Sequence, residues 1–312
     1  MRLIFLGAGG AWGLPEHQCP CAVCRHLRDL GQYLTRTSLW LEGPARVLID
    51  PGPDLRAQLM REDLPRPDAV LITHEHGDHY LGLDELLCYR RALPARDWRP
   101  IPVYASRAAW SRIEARFGYL LGSLLEKRLA HPGRELEGAP FGPELGCLPV
   151  KTYHGPIPAG SLGYRFQMGR GAGRTTWGYT SDMVSCQPED AFAGLDLLVC
   201  QSHFFNEPRE NRPHHLSLQR ALPLLERWRP GRVYFVHFSC QDHIPGDEAH
   251  NAMLKKFPPA DPLCDPTGRP YDIPRDHNAW ARAIAQVLAD RGLDIPAAPA
   301  HDGLRVELGP TG

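Results

Sequence analysis

Short β-branched and apolar runs bounded by turn residues recur from the start of the chain: Leu3 to Leu6, Thr37 to Leu41, Val47 to Ile49, Ala69 to Thr73 and Ile101 to Tyr104. A second series follows at Leu148 to Tyr153, Leu162 to Met168, Thr176 to Thr180, Leu195 to Val199, Arg232 to Val236 and Leu304 to Val306. Such runs predict strands, and two series of similar size predict two packed sheets. Apolar residues three and four apart predict helices. One face is Leu218, Leu222, Leu225 and Trp228, preceded by the capping residue Ser217 and stopped by Pro230-Gly231; another is Trp280, Ile284, Val287 and Leu288. Further helices are expected after His79 and from Ser106 to about Phe117. This loose alternation predicts an α/β fold, an αββα sandwich of two mixed sheets with helices on both outer faces. Residues 1–312 are expected to form a single domain, because sheet-rich chains of this length often do. Gln241 to Asp276, rich in Pro, Asp and Gly with a short helical patch near Ala249 to Phe257, breaks the pattern and is expected to be a surface insertion, 241–276.

Charge and cysteine content narrow the function classes. The formal net charge is −1, with both signs mixed along the chain, which argues against long nucleic acid or an anionic membrane surface as partner. No apolar run approaches the roughly 20 residues needed to cross a bilayer, and Met1 to Gly10 reads as a strand and a glycine turn instead of an export signal. A cytoplasmic location is therefore expected. Nine cysteines in a reducing compartment read as free thiols or metal ligands, not as a disulfide framework.

The densest chemistry is Thr73-His74-Glu75-His76-Gly77-Asp78-His79, directly after an apolar strand. Imidazoles and a carboxylate presented from a loop at a strand end converge readily on one cation and suit zinc, manganese or iron. The segment resembles the His-x-His-x-Asp-His signature of the metallo-β-lactamase superfamily. His154, Asp182 and His237 each close a later apolar strand, as that family's remaining ligands do. The resemblance implies two divalent metal ions, zinc or manganese with iron as an option. His74, His76 and His154 would hold the first, Asp78, His79 and His237 the second, and Asp182 would bridge them. It also implies hydrolysis by a hydroxide between the two cations, with Asp78 and Asp182 among the catalytic residues.

Cys19-Pro20-Cys21-Ala22-Val23-Cys24 puts three thiols within reach of one tetrahedral ion at about 2.3 Å. A glycine-rich first strand followed by this motif is similar to the cyclic-phosphate phosphodiesterases of the carbon–phosphorus lyase pathway, and also to the B protein of pyrroloquinoline quinone biosynthesis. In those phosphodiesterases a histidine three residues beyond the last active-site histidine completes a structural zinc site; here that position is Cys240. The resemblance thus implies one structural zinc held by Cys19, Cys21, Cys24 and Cys240. The other five cysteines are expected to be mostly buried small hydrophobes.

By the same resemblance His215, just before the helix that starts near Ser217, is a catalytic histidine that stabilises charge or protonates a leaving alkoxide, though His214 beside it leaves the register open. The surrounding basic loop makes His203, Arg209, Arg212 and His214 candidate substrate contacts. The expected substrate is a small phosphodiester, such as a cyclic ribose phosphate, and a homodimer is left open. Two other classes remain: an iron-dependent oxygenase like the quinone-cofactor protein, and a non-catalytic metal-binding partner protein.

Overall fold

A computed structural model describes residues 1–169, 171–247, 249 and 257–309. One sheet contains β1 (Arg2–Gly7), β2 (Ser38–Glu42), β3 (Arg46–Ile49), β4 (Ala69–Leu71), β5 (Ile101–Ala105) and β6 (Leu125–Leu129). The other contains β7 (Leu145–Tyr153), β8 (Leu162–Met168), β9 (Thr175–Tyr179), β10 (Ser185–Gln187), β11 (Leu197–Gln201), β12 (Val233–Val236) and β13 (Ala297–Pro299). The last strand, β14 (Arg305–Glu307), returns to the first sheet, giving the orders β14-β1-β2-β3-β4-β5-β6 and β10-β7-β8-β9-β11-β12-β13. Each sheet is antiparallel at one end and parallel at the other: β3 to β6 run parallel, as do β9, β11, β12 and β13.

Period-two alternation sorts the side chains into layers. Leu3 and Phe5 of β1 face the second sheet, where they join Leu71, Tyr164, Trp177 and Val199 in the inter-sheet core. Phe166 and Trp177 stack there with centroids 4.2 Å apart. Ile4 and Leu6 point the other way, toward α2 (Leu55–Glu62) and α5 (Arg107–Phe117), and pack with Trp110 and Ile113. A third cluster seats α1 (Ala22–Leu30), α6 (Leu218–Trp228) and α7 (His277–Asp290) on the outer face of the second sheet through Leu27, Leu222, Trp228, Trp280 and Ile284. Strands apolar on both faces are what a parallel sheet covered on both sides requires. The remaining helices, α3 (Gly77–Tyr80) and α4 (Leu87–Ala92), are short. Among the described residues no helix is long and apolar enough to cross a membrane.

The predicted αββα sandwich is observed, with more elements than the pattern disclosed. β6, β10 and β13 were not expected. β6 carries Glu126, Lys127 and Arg128 on an edge, and β13 is Ala-Ala-Pro, so neither has a strand-like composition. Of the 241–276 segment, 250–256, most of the expected helical patch, lie outside the described residues. The remainder is anchored and does not merely lie on the surface: Asp242 accepts from the Phe205 and Asn206 amides, Leu263 N donates to Asn206 Oδ1 at 2.8 Å, and Leu263 and Ile244 are buried in the outer core.

Candidate metal centre

Strands β4, β7, β9 and β12 all end at the same rim, so the loops after them meet there; sites of open α/β sheets form at such carboxyl ends. The loop after β4 delivers His74, His76, Asp78 and His79, β7 ends at His154, β9 leads to Asp182, and β12 to His237. The rim backbone is strained. Asp50, Ser181, His214 and His237 all have φ between 55 and 66°, a left-handed conformation that non-glycine residues adopt at a cost and that clusters at functional sites. Gly52 permits a close approach: a Cβ there would sit 2.1 Å from the Asp78 carbonyl oxygen.

Two triads converge. His74 Nε2 lies 3.1 Å from His76 Nδ1, which lies 3.3 Å from His154 Nε2. His79 Nε2 is 3.1 Å and His237 Nε2 3.6 Å from Asp78 Oδ2. Between the triads sits Asp182 Oδ2, 3.9 Å from His74 Nε2, 3.7 Å from His154 Nε2, 3.5 Å from His79 Nε2 and 3.1 Å from His237 Nε2. His74, His76 and His154 form one group able to hold a metal ion, and Asp78, His79, Asp182 and His237 another.

The hydrogen bonds around these side chains set the form a metal requires. Asp50, absent from the sequence-based candidates, is fully buried and accepts from His79 Nδ1 at 2.9 Å and from Thr73 N and Oγ1, both at 2.8 Å. With its hydrogen given to Asp50, Thr73 Oγ1 accepts from His74 Nδ1 at 3.0 Å. His154 Nδ1 donates to the His214 carbonyl at 2.9 Å. Each of these imidazoles therefore turns Nε2 inward; for His79 burial opposes a charge, but the Asp78, Asp50 and Asp182 carboxylates outweigh it and raise the ring well above the usual imidazole range, a positive charge whose place a bound cation would take. The Nε2 atoms of His79 and His237 and Asp182 Oδ1 are buried without a hydrogen-bond partner, an arrangement that two cations would satisfy and that would otherwise be costly. Burial pushes His74 well below the usual imidazole range and His154 down to about 4, leaving both neutral. Burial opposes ionisation of Asp182, but the charges of His237 and His79 outweigh it and hold its carboxyl well below the usual range.

The basic loop divides. His215 has its ring at the centre, 4.5 Å from that of His154 and stacked at 4.0 Å on His203, with Nδ1 3.5 Å from Asp182 Oδ2. His214 turns its ring toward Tyr153 instead. His203 is 2% exposed, with Nδ1 3.2 Å from His237 Nδ1. Arg209 and Arg212 are exposed, and Arg212 pairs with Glu210 at 2.6 Å. Gln201 is a further residue the sequence reading passed over: fully buried at the end of β11, it places Nε2 2.8 Å from His215 Nδ1.

Cys19, Cys21, Cys24 and Cys240 form a separate buried group whose sulfurs lie within 4.8 Å of one another. A hydrogen bond from Cys240 draws the Cys19 thiol down to about 7, while its contacts with Cys19, Cys21 and Cys24 push Cys240 up. Four thiols in one buried space fit a tetrahedral zinc. Of the other five, only Cys147 and Cys200 are buried; Cys88 is exposed and Cys186 and Cys264 are half-buried, so the expectation of mostly buried thiols fails.

Residues 45–238 match the model of the beta-lactamase superfamily domain. The chain belongs to that superfamily. Over 98% of its length it superimposes on 97% of a solved diphosphatase of the PhnP family, at 25% identity and a TM-score of 0.69. The zinc-bound PqqB of Methylobacterium extorquens matches at the same TM-score with 18% identity, over 99% of this chain and all of that one, and so speaks to the fold alone. An octanoyltransferase of Porphyromonas gingivalis is 32% identical over 81% of this chain, but the chain spans only 49% of that protein's length.

Proposed function

We propose that the chain is a metal-dependent hydrolase of a small phosphodiester or related diphosphate, with two divalent ions at the rim and one structural zinc among the four cysteines. The observation that carries this is Asp182 Oδ2, a single buried carboxylate oxygen within 3.9 Å of imidazole nitrogens from both triads. One anion between two donor sets is what a pair of cations about 3.5–4 Å apart needs. Zinc or manganese bound there would supply Lewis-acid polarisation of a phosphoryl oxygen and a nucleophilic water. The chain's own part is to hold its imidazoles and paired carboxylates rigid, and to present His215 to the oxygens on phosphorus. The similarity to a diphosphatase of the PhnP family supports phosphorus chemistry. The octanoyltransferase name is not carried over, because half of that protein has no counterpart in this chain.

In this reading the protein works on a small molecule in the cytoplasm, as one domain with residues 241–276 as an anchored insertion beside the site. The zinc- or manganese-loaded protein should hydrolyse bis(4-nitrophenyl) phosphate, and Asp182→Asn should abolish turnover and lower the occupancy of both rim metals. Full activity in Asp182→Asn would end the bridging role. One iron per chain with oxygen uptake would favour the oxygenase reading, and inertness toward every phosphoester would favour a binding protein.

A further inference from the structure

Around the rim, imidazole Nδ1 atoms face acceptors: Asp50 for His79, Thr73 Oγ1 for His74 and the His214 carbonyl for His154. His237, with Nε2 turned to the two carboxylates, has Nδ1 between His203 Nδ1 at 3.2 Å and Gln201 Nε2 at 3.3 Å. His215 makes the shorter contact with that amide. Its Nδ1 faces Gln201 Nε2 at 2.8 Å, with the Asp182 carboxylate farther off at 3.5 Å, and the sense of that amide is not arbitrary. Gln201 Oε1 already accepts from the Met183 and Leu216 amides, both at 3.0 Å, so the group turned to His215 is the NH₂, a donor. An imidazole nitrogen that accepts carries no hydrogen, and in the neutral ring the hydrogen then sits on the other nitrogen. The ring cannot turn away from this contact easily: Asn211 clamps the His215 backbone on both sides, accepting from its N–H at 3.1 Å and donating to its carbonyl at 2.6 Å, and His203 stacks on one face.

We propose that Gln201 is a positioning residue that holds His215 in the tautomer with hydrogen on Nε2, so that His215 meets substrate as a hydrogen-bond donor. The tautomer stands on this chain's geometry alone, while the catalytic consequence rests on the phosphodiesterase reading above. In that reading His215 Nε2–H donates to an oxygen on phosphorus as charge builds there, and no proton leaves the ring.

The test uses the full chain, zinc-loaded and labelled with nitrogen-15 histidine. His215 resonances are assigned by their loss in His215→Ala, and the tautomer is read from long-range proton–nitrogen correlations. Wild type should show hydrogen on Nε2. Gln201→Glu keeps an acceptor for the Met183 and Leu216 amides and reverses the group facing His215 and, at 3.3 Å, His237, so it should move the His215 hydrogen to Nδ1. With bis(4-nitrophenyl) phosphate, Gln201→Glu should lower kcat about 100-fold, as loss of one preorganised donor does, with KM changed less than about threefold. In a His215→Ala background the same substitution should add less than about threefold, since the two act as a unit. Hydrogen on Nδ1 in wild type, an unchanged tautomer in Gln201→Glu, or the full loss persisting without His215 would each overturn the assignment. If wild type hydrolyses no diester, the functional reading falls and the spectra still decide the tautomer.

Discussion

Replacing Asp50 with Asn tests the hydrogen-bond frame of the centre without changing its volume. The Asp50 carboxylate is fully buried and meets four donors: Thr73 N and Oγ1 at 2.8 Å, His79 Nδ1 at 2.9 Å and the Tyr179 hydroxyl at 3.4 Å. An Asn keeps one acceptor oxygen and must turn its NH₂ toward some of those donors. Facing the Thr73 amide, it sets two donors together, at a cost of about 1–3 kcal/mol. Facing His79, it drives the imidazole hydrogen onto Nε2, the atom that points at Asp78 and Asp182. The second outcome relieves the clash and closes one ligand position. Loss of such an outer hydrogen bond weakens metal binding by about 10–100-fold, or roughly 1.4–2.8 kcal/mol. Competition with a chromophoric chelator, with metal counted per chain, measures it directly. The expected result is one rim metal released at lower chelator concentration while the cysteine-bound zinc stays. Unchanged affinity for both rim metals would show that Asp50 does not set the His79 tautomer, and the reasoning would fail.

Other perturbations probe separate parts of the fold. Cys21→Ser should remove one zinc per chain by elemental analysis and lower the melting temperature, because a zinc there would tie Cys19, Cys21 and Cys24, at the start of α1, to Cys240, three residues past His237. Gly52→Ala places a Cβ 2.1 Å from the Asp78 carbonyl, so the loop must shift; occupancy of the second rim metal should fall although no ligand has changed. Asp68 is paired with Arg46, Oδ1 to Nη2 at 2.8 Å. Burial would raise its carboxyl, but the Arg46 hydrogen bonds outweigh that and hold it below its usual value. A depressed folded-state value contributes stability above the unfolded pKa of about 3.9 that is lost as pH falls through the folded one. Asp68→Asn should therefore lower the urea midpoint at pH 7 and converge on wild type as the pH drops toward the folded-state value.

How much was legible depended on which signal each residue carries. The seven converging side chains could be named because the His-x-His-x-Asp-His spacing is specific and because His154, Asp182 and His237 follow apolar strands. Asp50 and Gln201 escaped notice for opposite reasons. Asp50 stands in Asp50-Pro51-Gly52, a string that reads as an ordinary turn. Gln201 is a polar residue closing the apolar run Leu197–Gln201, where nothing local tells a buried amide from an exposed one. α1 was hidden by its own chemistry, since its cap is Cys21, whose sulfur accepts from Cys24 N, and attention fell on the thiols. β13 pairs with β12 only through its backbone, in a tripeptide with no strand preference.

The rim cluster draws His74, His76, Asp78 and His79 from the first sheet and His154, Asp182 and His237 from the second, so its ions would span the seam between the two halves of the sandwich. Cations held in this way act as rivets: they can be retained only while the halves stay docked, and they in turn resist parting of the halves. Metal release then becomes a gauge of inter-sheet cohesion, and damage far from the rim, for instance at the Phe166–Trp177 stack, would surface first as leakage of ions from a centre whose ligands are all intact.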